Sequence, residues 1–352
     1  MAFINTNLRH VGTVGSGARC VLPGTTHGYV CAGYMGKWPD DTSGPNVGYG
    51  TAIQKFSLTT DGNATNVADI LSARRGPDGC SSETHGFVIG GGLDTPGSFL
   101  NSIERFHFAT DSDSADWADM TETKRTYGTA CSSATHGFTL GGSDDTGNTN
   151  VIDKFPFASQ TNATDWADAT TSKHGGAAFS SPTHGYSAGG SGTPYVNVIE
   201  KFPFATQVDS VDVADITIAR SGAAGISSCE DGYAAGGATI GTNPANSAPI
   251  WDRTVIDKHS FASGGNSTDH GDLPVELGAG AHSQAGVSGT THGYSVGGMY
   301  SFNIHNHQYP REQIEKFAYA NNVTASDVGD LVDARSTNIV HWGMDSCSAH
   351  QV

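Results

Sequence analysis

Five histidines stand in one repeated context. His27, His85, His136, His184 and His292 each follow a threonine and precede Gly-Tyr or Gly-Phe. Imidazoles in that number raise two chemistries, metal ligation and proton transfer. Ligation needs ring nitrogens within about 2 Å of one shared ion, which histidines on separate turns of separate repeats do not supply. A residue demanded by nearly every repeat serves the repeat, here by hydrogen-bonding turn backbone that would otherwise be unpaired. Asp69, Asp119, Asp168, Asp215, Asp272 and Asp330 recur as regularly and read as partners for backbone or for the repeated His and Lys. His305-x-His307 has ligand spacing but no third ligand. Asp111-Ser112-Asp113-Ser114 lacks the glycine and terminal glutamate of a calcium loop. No G-x-S-x-G elbow, HExxH pair or phosphate loop occurs. The expectation is a chain with no catalytic residues, no metal and no cofactor.

The elements that carry these residues repeat six times. A short small-residue segment such as Ala177–Ser181 comes first. Thr183-His184-Gly185-Tyr186 and the diglycine Gly189-Gly190 follow, with counterparts at Gly90-Gly91, Gly141-Gly142, Gly236-Gly237 and Gly297-Gly298 and a degenerate Ala32-Gly33. Diglycine implies close backbone approach or a positive φ. Then comes Ile-acid-base-Phe, as in Ile103-Glu104-Arg105-Phe106, whose alternation is that of a half-buried strand. The unit ends on Asp116-Trp117-Ala118-Asp119 or its equivalent and a basic residue, taken as Arg75, Arg125, Arg220 or Arg335. Four strands in about fifty residues make one propeller blade. The units fall at about 16–75, 76–125, 126–173, 174–220, 221–280 and 281–335, with a closing strand at about 336–347 that joins the first blade. The fold expected is all-β: one six-bladed propeller over residues 1–352 with four-stranded antiparallel blades.

In the third unit Gly141-Gly142, Ile152 to Phe155, Trp166 and Lys173 follow one another in the order of a kelch repeat, and the chain resembles kelch-like propellers from about Ser16 to Arg335. Trp117 and Trp166 keep the kelch tryptophan, where the other units have Val67, Val213, His270 and Val328. The finer wording, Thr-His-Gly-Tyr with Lys-Phe-x-Phe and Asp-x-x-Asp-Leu, resembles kelch-like virion proteins of tailed bacteriophages. That resemblance implies a virion protein made in the host cytoplasm, with other virion proteins as partners.

Composition narrows the partners. A formal charge of −17 with 18 Lys and Arg argues against nucleic acid, whose affinity comes from basic side chains meeting phosphates, and against anionic membranes. The N-terminal residues have no apolar segment of the signal-peptide kind. The six cysteines form no CxxC pair, and Cys80 and Cys131 share one repeat position, which reads as small buried side chains in a reducing compartment rather than a disulfide framework. Asn63, Asn162, Asn266 and Asn322 match the glycosylation pattern at what reads as one repeat position, so turn chemistry explains them better.

What the scaffold does not demand is more informative. The stretch from the diglycine to the third-strand isoleucine is long in units one (Gly33 to Ile53), five (Gly237 to Ile256) and six (Gly298 to Ile314), and short elsewhere. Those units are neighbours in a closed ring, so their loops should form one raised patch. It carries Tyr34, Trp38, Tyr49, Trp251, Tyr300, Phe302, His305, His307 and Tyr309. Aromatic loops on a rigid disc suit sugar stacking or a protein contact, or simply the packing of their own long loops. Two functions follow as expectations. One is a non-enzymatic tail-associated or adhesin-like binding protein contacting host surface glycan, with a capsid decoration protein as its variant. The other is a polysaccharide-acting enzyme with loop-borne carboxylates.

Overall fold

The computed structural model describes residues 24–35, 48–93, 98–122, 127–144, 146–192, 194–239, 253–274, 282–302, 307–335 and 347–350. Among them there are strands and turns and no helix. Six antiparallel sheets form the blades. From inner to outer strand, blade two is Asp78–Ser81, His85–Ile89, Ser102–His107 and Ala115–Asp119. Blade three is Thr129–Ser132, His136–Leu140, Val151–Pro156 and Thr164–Asp168. Blade four is Ala177–Ser180, His184–Ala188, Val198–Pro203 and Val211–Asp215. Blade five is Ala224–Ser227, Asp231–Ala235, Val255–Ser260 and Thr268–Asp272. In blade one the inner strand is the C-terminal Cys347–His350, followed by His27–Cys31, Ala52–Ser57 and Thr65–Asp69. The six inner strands touch one another in turn and close a ring. The chain is a six-bladed β-propeller.

Blade six departs from the four-strand expectation. Its inner and second strands are Ala285–Ser288 and His292–Val296, but its third runs the length of His307–Ala318, and Met299–Phe302 folds back as a fifth strand on the start of it before Ser326–Arg335 completes the blade. Of the expected closing segment, 336–346 lies outside the described residues; Cys347–His350 pairs His27–Cys31.

Each blade is made by one cross-strand exchange. The glycine after the repeated His lies opposite the third-strand Phe, as Gly137 lies opposite Phe155. A Cβ at Gly137 would collide with the Phe155 ring and come 2.9 Å from Cys80 Sγ of the neighbouring blade. The diglycines take left-handed φ, 66° and 119° at Gly189 and Gly190. The outer strand carries a bulge in every blade with a full register: Ile103 faces Ala118 while Glu104 faces Asp116, leaving Trp117 as the extra residue. Bulges re-aim a side chain, and here that residue lies over the third-strand base. The guanidinium of Arg105 lies 3.6 Å from the Trp117 ring centroid, and Lys154 Nζ lies 3.5 Å from that of Trp166.

Blades are locked to their successors by four recurrent contacts. First, the third-strand acid is buried and turned on the preceding blade. Glu200 accepts from Thr170 N–H at 3.0 Å and pairs with Lys173 at 3.3 Å; Asp257 accepts from Thr217 N–H at 3.1 Å and pairs with Arg220 at 2.7 Å. The basic partner of Glu104 is Arg74, not the expected Arg75. It stands four residues after the buried Ile70, as Arg220 stands four after Ile216. By that count the third unit's entry base is Lys124 rather than Arg125; both lie outside the described residues. Second, Asn63, Asp113, Asn162, Asp209 and Asn266 each accept from a backbone N–H of the previous blade's outer strand, at 3.0 to 3.1 Å. The glycosylation-like asparagines are therefore cross-blade caps. Asn322 differs: its Nδ2 donates to Asp269 O. Third, the second-strand aromatic stacks on the aromatic that follows the next blade's third-strand Phe: Phe87 on Phe157 at 4.9 Å, Phe138 on Phe204 at 4.9 Å and Tyr233 on Tyr319 at 5.0 Å. Fourth, the inner strands are stapled by serines, with Ser132 N–H donating to Ser180 Oγ at 3.2 Å and Ser180 N–H to Ser227 Oγ at 2.9 Å. The seam between blades six and one is held the same way, by Asp330 N–H to Asn63 Oδ1 at 3.1 Å and Tyr294 Oη–H to Leu58 O at 3.2 Å.

Two sequence expectations need correction. The repeated His does not hold turn backbone. His85, His136, His184 and His292 each pair Nδ1 with the hydroxyl of the preceding threonine at 2.8 Å. Turn backbone is held by a serine three residues earlier: Ser181 Oγ accepts from His184 N–H at 3.0 Å and donates to His184 O at 3.3 Å. The serine hydroxyl closes on its own turn, while the imidazole Nδ1 is taken up by the threonine hydroxyl beside it. Second, Cys31, Cys80 and Cys131 are free and buried as expected, and burial raises the Cys131 pKa to about 12. Cys229, however, is disulfide-bonded, so the chain is not disulfide-free.

Candidate functional site

Loops between second and third strands emerge on the face where each outer strand crosses to the next blade. On that face, blade one raises a two-stranded hairpin in which Tyr34–Met35 pairs with Gly48–Tyr49, with Tyr34 directly opposite Tyr49. The hairpin lies against the outer strand of blade six. Blade six raises its own hairpin beside it, with Tyr300 opposite Tyr309 and Phe302 opposite His307. Residues opposite one another on antiparallel strands have Cβ atoms about 4.5–5.5 Å apart. Six of the nine predicted aromatic and histidine residues thus form three cross-strand pairs on two adjacent blades. Trp38, Trp251 and His305 lie outside the described residues, and the blade-five loop with them.

The base of this rim is anchored. Tyr49 is half-buried, with the Arg75 guanidinium 5.8 Å from its ring centroid. Under blade six, His282 is buried and pairs through Nδ1 with Met299 O at 3.1 Å; burial and then the charge of Arg311 pull its pKa down to about 4. Exposed Leu71, just past the outer strand of blade one, and Val332, within that of blade six, add apolar surface. Aromatic residues in cross-strand register can stack on the apolar face of a sugar ring or fill a protein interface core.

A second concavity had no sequence signal. It is a cavity of about 490 Å³ between the short loop of blade three and the crossing from blade two, lined by Thr121, Glu122, Asp144, Thr149 and Asn150 among others. Asp144 Oδ1 accepts from Thr146 N–H at 2.6 Å and Gly147 N–H at 3.1 Å, which holds the loop in one shape. Two separate segments make this cavity, so no contiguous motif spells it.

The five repeated histidines stay on five separate blades. Among the described residues no group of three or more His, Cys, Asp or Glu is arranged to hold a metal ion. Among the described residues no helix is long and apolar enough to cross a membrane. No protein-family model matches the chain, and no curated protein matches it.

Proposed function

We propose that the chain is a non-enzymatic structural and binding component of a tailed-bacteriophage particle, kelch-like in its repeat, tail-associated or adhesin-like, holding host surface glycan through the rim of blades six and one. The observation that carries the binding role is the placement of three cross-strand aromatic pairs on two adjoining hairpins above a ring whose blades are locked at every described junction. Backbone held in strand register loses less conformational freedom on binding than a free loop does. The virion assignment rests on the wording of the repeat.

Incubation of the purified protein with cell-wall polysaccharide from host cells tests this reading. Retention of the glycan without shorter products is expected, and its weakening in Tyr300→Ala/Tyr309→Ala and Trp38→Ala/Trp251→Ala double variants that keep their strand content. Release of new reducing ends would replace it with a polysaccharide-acting enzyme. Absence of the chain from the tails of fractionated particles, with recovery on the heads, would make it a capsid decoration protein.

A further inference from the structure

Every blade sets a basic residue in its third strand, and five of the six bases have a partner. Lys55 pairs with Asp111 at 2.9 Å and Lys316 with Asp61 at 2.5 Å, each aspartate coming from the tip of the next blade. Arg105 and Lys154 lie over the rings of Trp117 and Trp166. Lys258 pairs at 2.9 Å with Asp231, which stands where the other units have the repeated histidine. Lys201 of blade four has none of these devices. Among the described residues no hydrogen bond, ion pair or ring contact reaches it. Its second strand keeps His184, and the bulged residue of its outer strand is Val213. The tip of blade five that faces it carries Gly264-Gly265, and a Cβ at either would have nothing beyond its chain neighbours within 4 Å. Lys201 is half-buried. Opposite it on the outer strand is Val211, 53% exposed, where the other blades have threonine, alanine or serine.

We propose that this notch between blades four and five is a docking point for another protein, which sets an acidic side chain on Lys201 and covers Val211 with an apolar neighbour. The fold itself supplies the precedent: at two other blades the corresponding ammonium takes an aspartate from a loop of a separate blade. At blade four that cap is absent and the space for it is open. A half-buried cation beside an exposed aliphatic side chain is complementary to a carboxylate beside an apolar one, and charge-assisted contacts are the stronger hydrogen bonds. Residues facing one another across antiparallel strands stand about 4.5–5.5 Å apart, so one short segment can meet both Lys201 and Val211. With a formal charge of −17 the chain as a whole repels acidic partners, and one uncapped lysine among capped ones sets where an acidic segment can land. The notch opens on the face opposite the aromatic rim, since tips between third and outer strands lie at the other end of the blade from loops between second and third. The inference does not depend on the glycan reading.

The test is NMR titration of the full chain with an end-blocked peptide, Phe-Ala-Thr-Asp-Ser-Asp, the sequence of the tip at 108–113 that caps Lys55. Saturable shifts of the Lys201 side-chain and Val211 methyl signals are expected. A peptide with asparagine at both aspartates should bind about threefold more weakly or worse, and so should acetate. Gly264→Asp supplies the missing cap in cis. The φ of 62° at Gly264 is close to the 46° of Asp111 at the same position of its own tip, so an aspartate is accommodated there. G264D should weaken the peptide about fivefold or more. Lys201→Met removes no internal contact, so its urea midpoint should match the wild type while peptide affinity falls by a similar factor. Equal binding of the two peptides, or no saturable shift up to about 10 mM, overturns the proposal. So does full peptide affinity in folded G264D or K201M. Acetate binding as tightly as the peptide would overturn the protein partner in favour of a site for free carboxylates.

Discussion

Arg311 and Glu315 form a buried ion pair within a single strand, Nη2 to Oε1 at 2.5 Å, at a junction where the sequence of the preceding unit lacks both donors found in units one and four. Where Leu71, Thr121, Thr170 and Thr217 give a backbone N–H to the next blade's acid, unit five has Pro274, which has none. Four residues after the outer-strand hydrophobe, where Arg74 and Arg220 stand, it has Leu277. Glu315 is 1% exposed, and a buried carboxylate without a partner is costly. Arg311 supplies in cis what the neighbour no longer supplies. Arg311→Met should destabilise the fold by about 3–5 kcal/mol, and Arg311→Met/Glu315→Met should recover most of that loss, read as urea midpoints. Equal losses in the single and double variants would show that the pair is not what matters there.

The outer-strand tryptophan is tied to a residue in the next blade. Blades two and three have Trp117 and Trp166 over their own third-strand base, and the following tips carry Gln160 and Gln207, each donating Nε2 to outer-strand carbonyls at 3.4 Å. Blades one and six have Val67 and Val328 instead, and the base reaches an aspartate on the next tip, Lys55 to Asp111 at 2.9 Å and Lys316 to Asp61 at 2.5 Å. In blades one and six the aspartate thus takes the place of the tryptophan; blade four, with Val213, has Gly264 at that tip position and neither device. Trp166→Val and Gln207→Asp should each destabilise, and the double variant should be better than their sum by about 0.5–1 kcal/mol. A double-mutant cycle with no coupling would dissolve the link.

Ala32 stands in the diglycine position of blade one with φ 62°, where the other blades have glycine. A left-handed alanine costs about 1–2 kcal/mol, and glycine returns about 0.5–1 of that in chain entropy. Ala32→Gly should therefore be neutral to about 1 kcal/mol stabilising. Gly189→Ala is the reciprocal, with φ 66° and a Cβ that would come 2.6 Å from Arg220 O; it should cost about 2 kcal/mol or more. Thermal melts of the two variants moving in the same direction would contradict this.

His174 and His282 are buried, and burial holds both pKa values at about 4. A lowered histidine pKa means that the unfolded chain binds more protons between about pH 4 and 6.5, so stability falls as pH falls through that window. The loss at pH 5 relative to pH 7 is about 2 kcal/mol for each histidine. His282→Gln should flatten the pH dependence between pH 7 and 5 by about that amount in denaturant titrations, at some cost in stability at pH 7. A variant as acid-sensitive as the wild type would assign the effect to other groups.

The blade was legible because each of its contacts recurs. Glycine after histidine, diglycine, the Ile-acid-base-Phe strand and the small inner segment all answer to short-range geometry: a cross-strand ring, a left-handed turn, a half-buried strand. Six copies in series then imply a ring, since a sheet edge left unpaired is a hazard. The adjacency of the blade-one and blade-six loops followed from that closure. What local pattern could not assign was the partner of each polar group. It put Arg75 where Arg74 belongs, and it gave the histidine a backbone role that Ser82, Ser133, Ser181 and Ser228 perform.

Sequence by itself determined the number of blades, the four repeated strands of each and the aromatic loops, though not the fifth strand of blade six, because these depend on residue periodicity within about fifty positions. Tertiary structure decided the rest: which terminus supplies the innermost strand of blade one, why Val67 and Val328 are acceptable, how Arg311 replaces an absent neighbour, and where a polar cavity opens. Each of those is a contact between consecutive blades. Its energy depends on the distance between groups that no periodicity relates, so it exists only once the ring has closed.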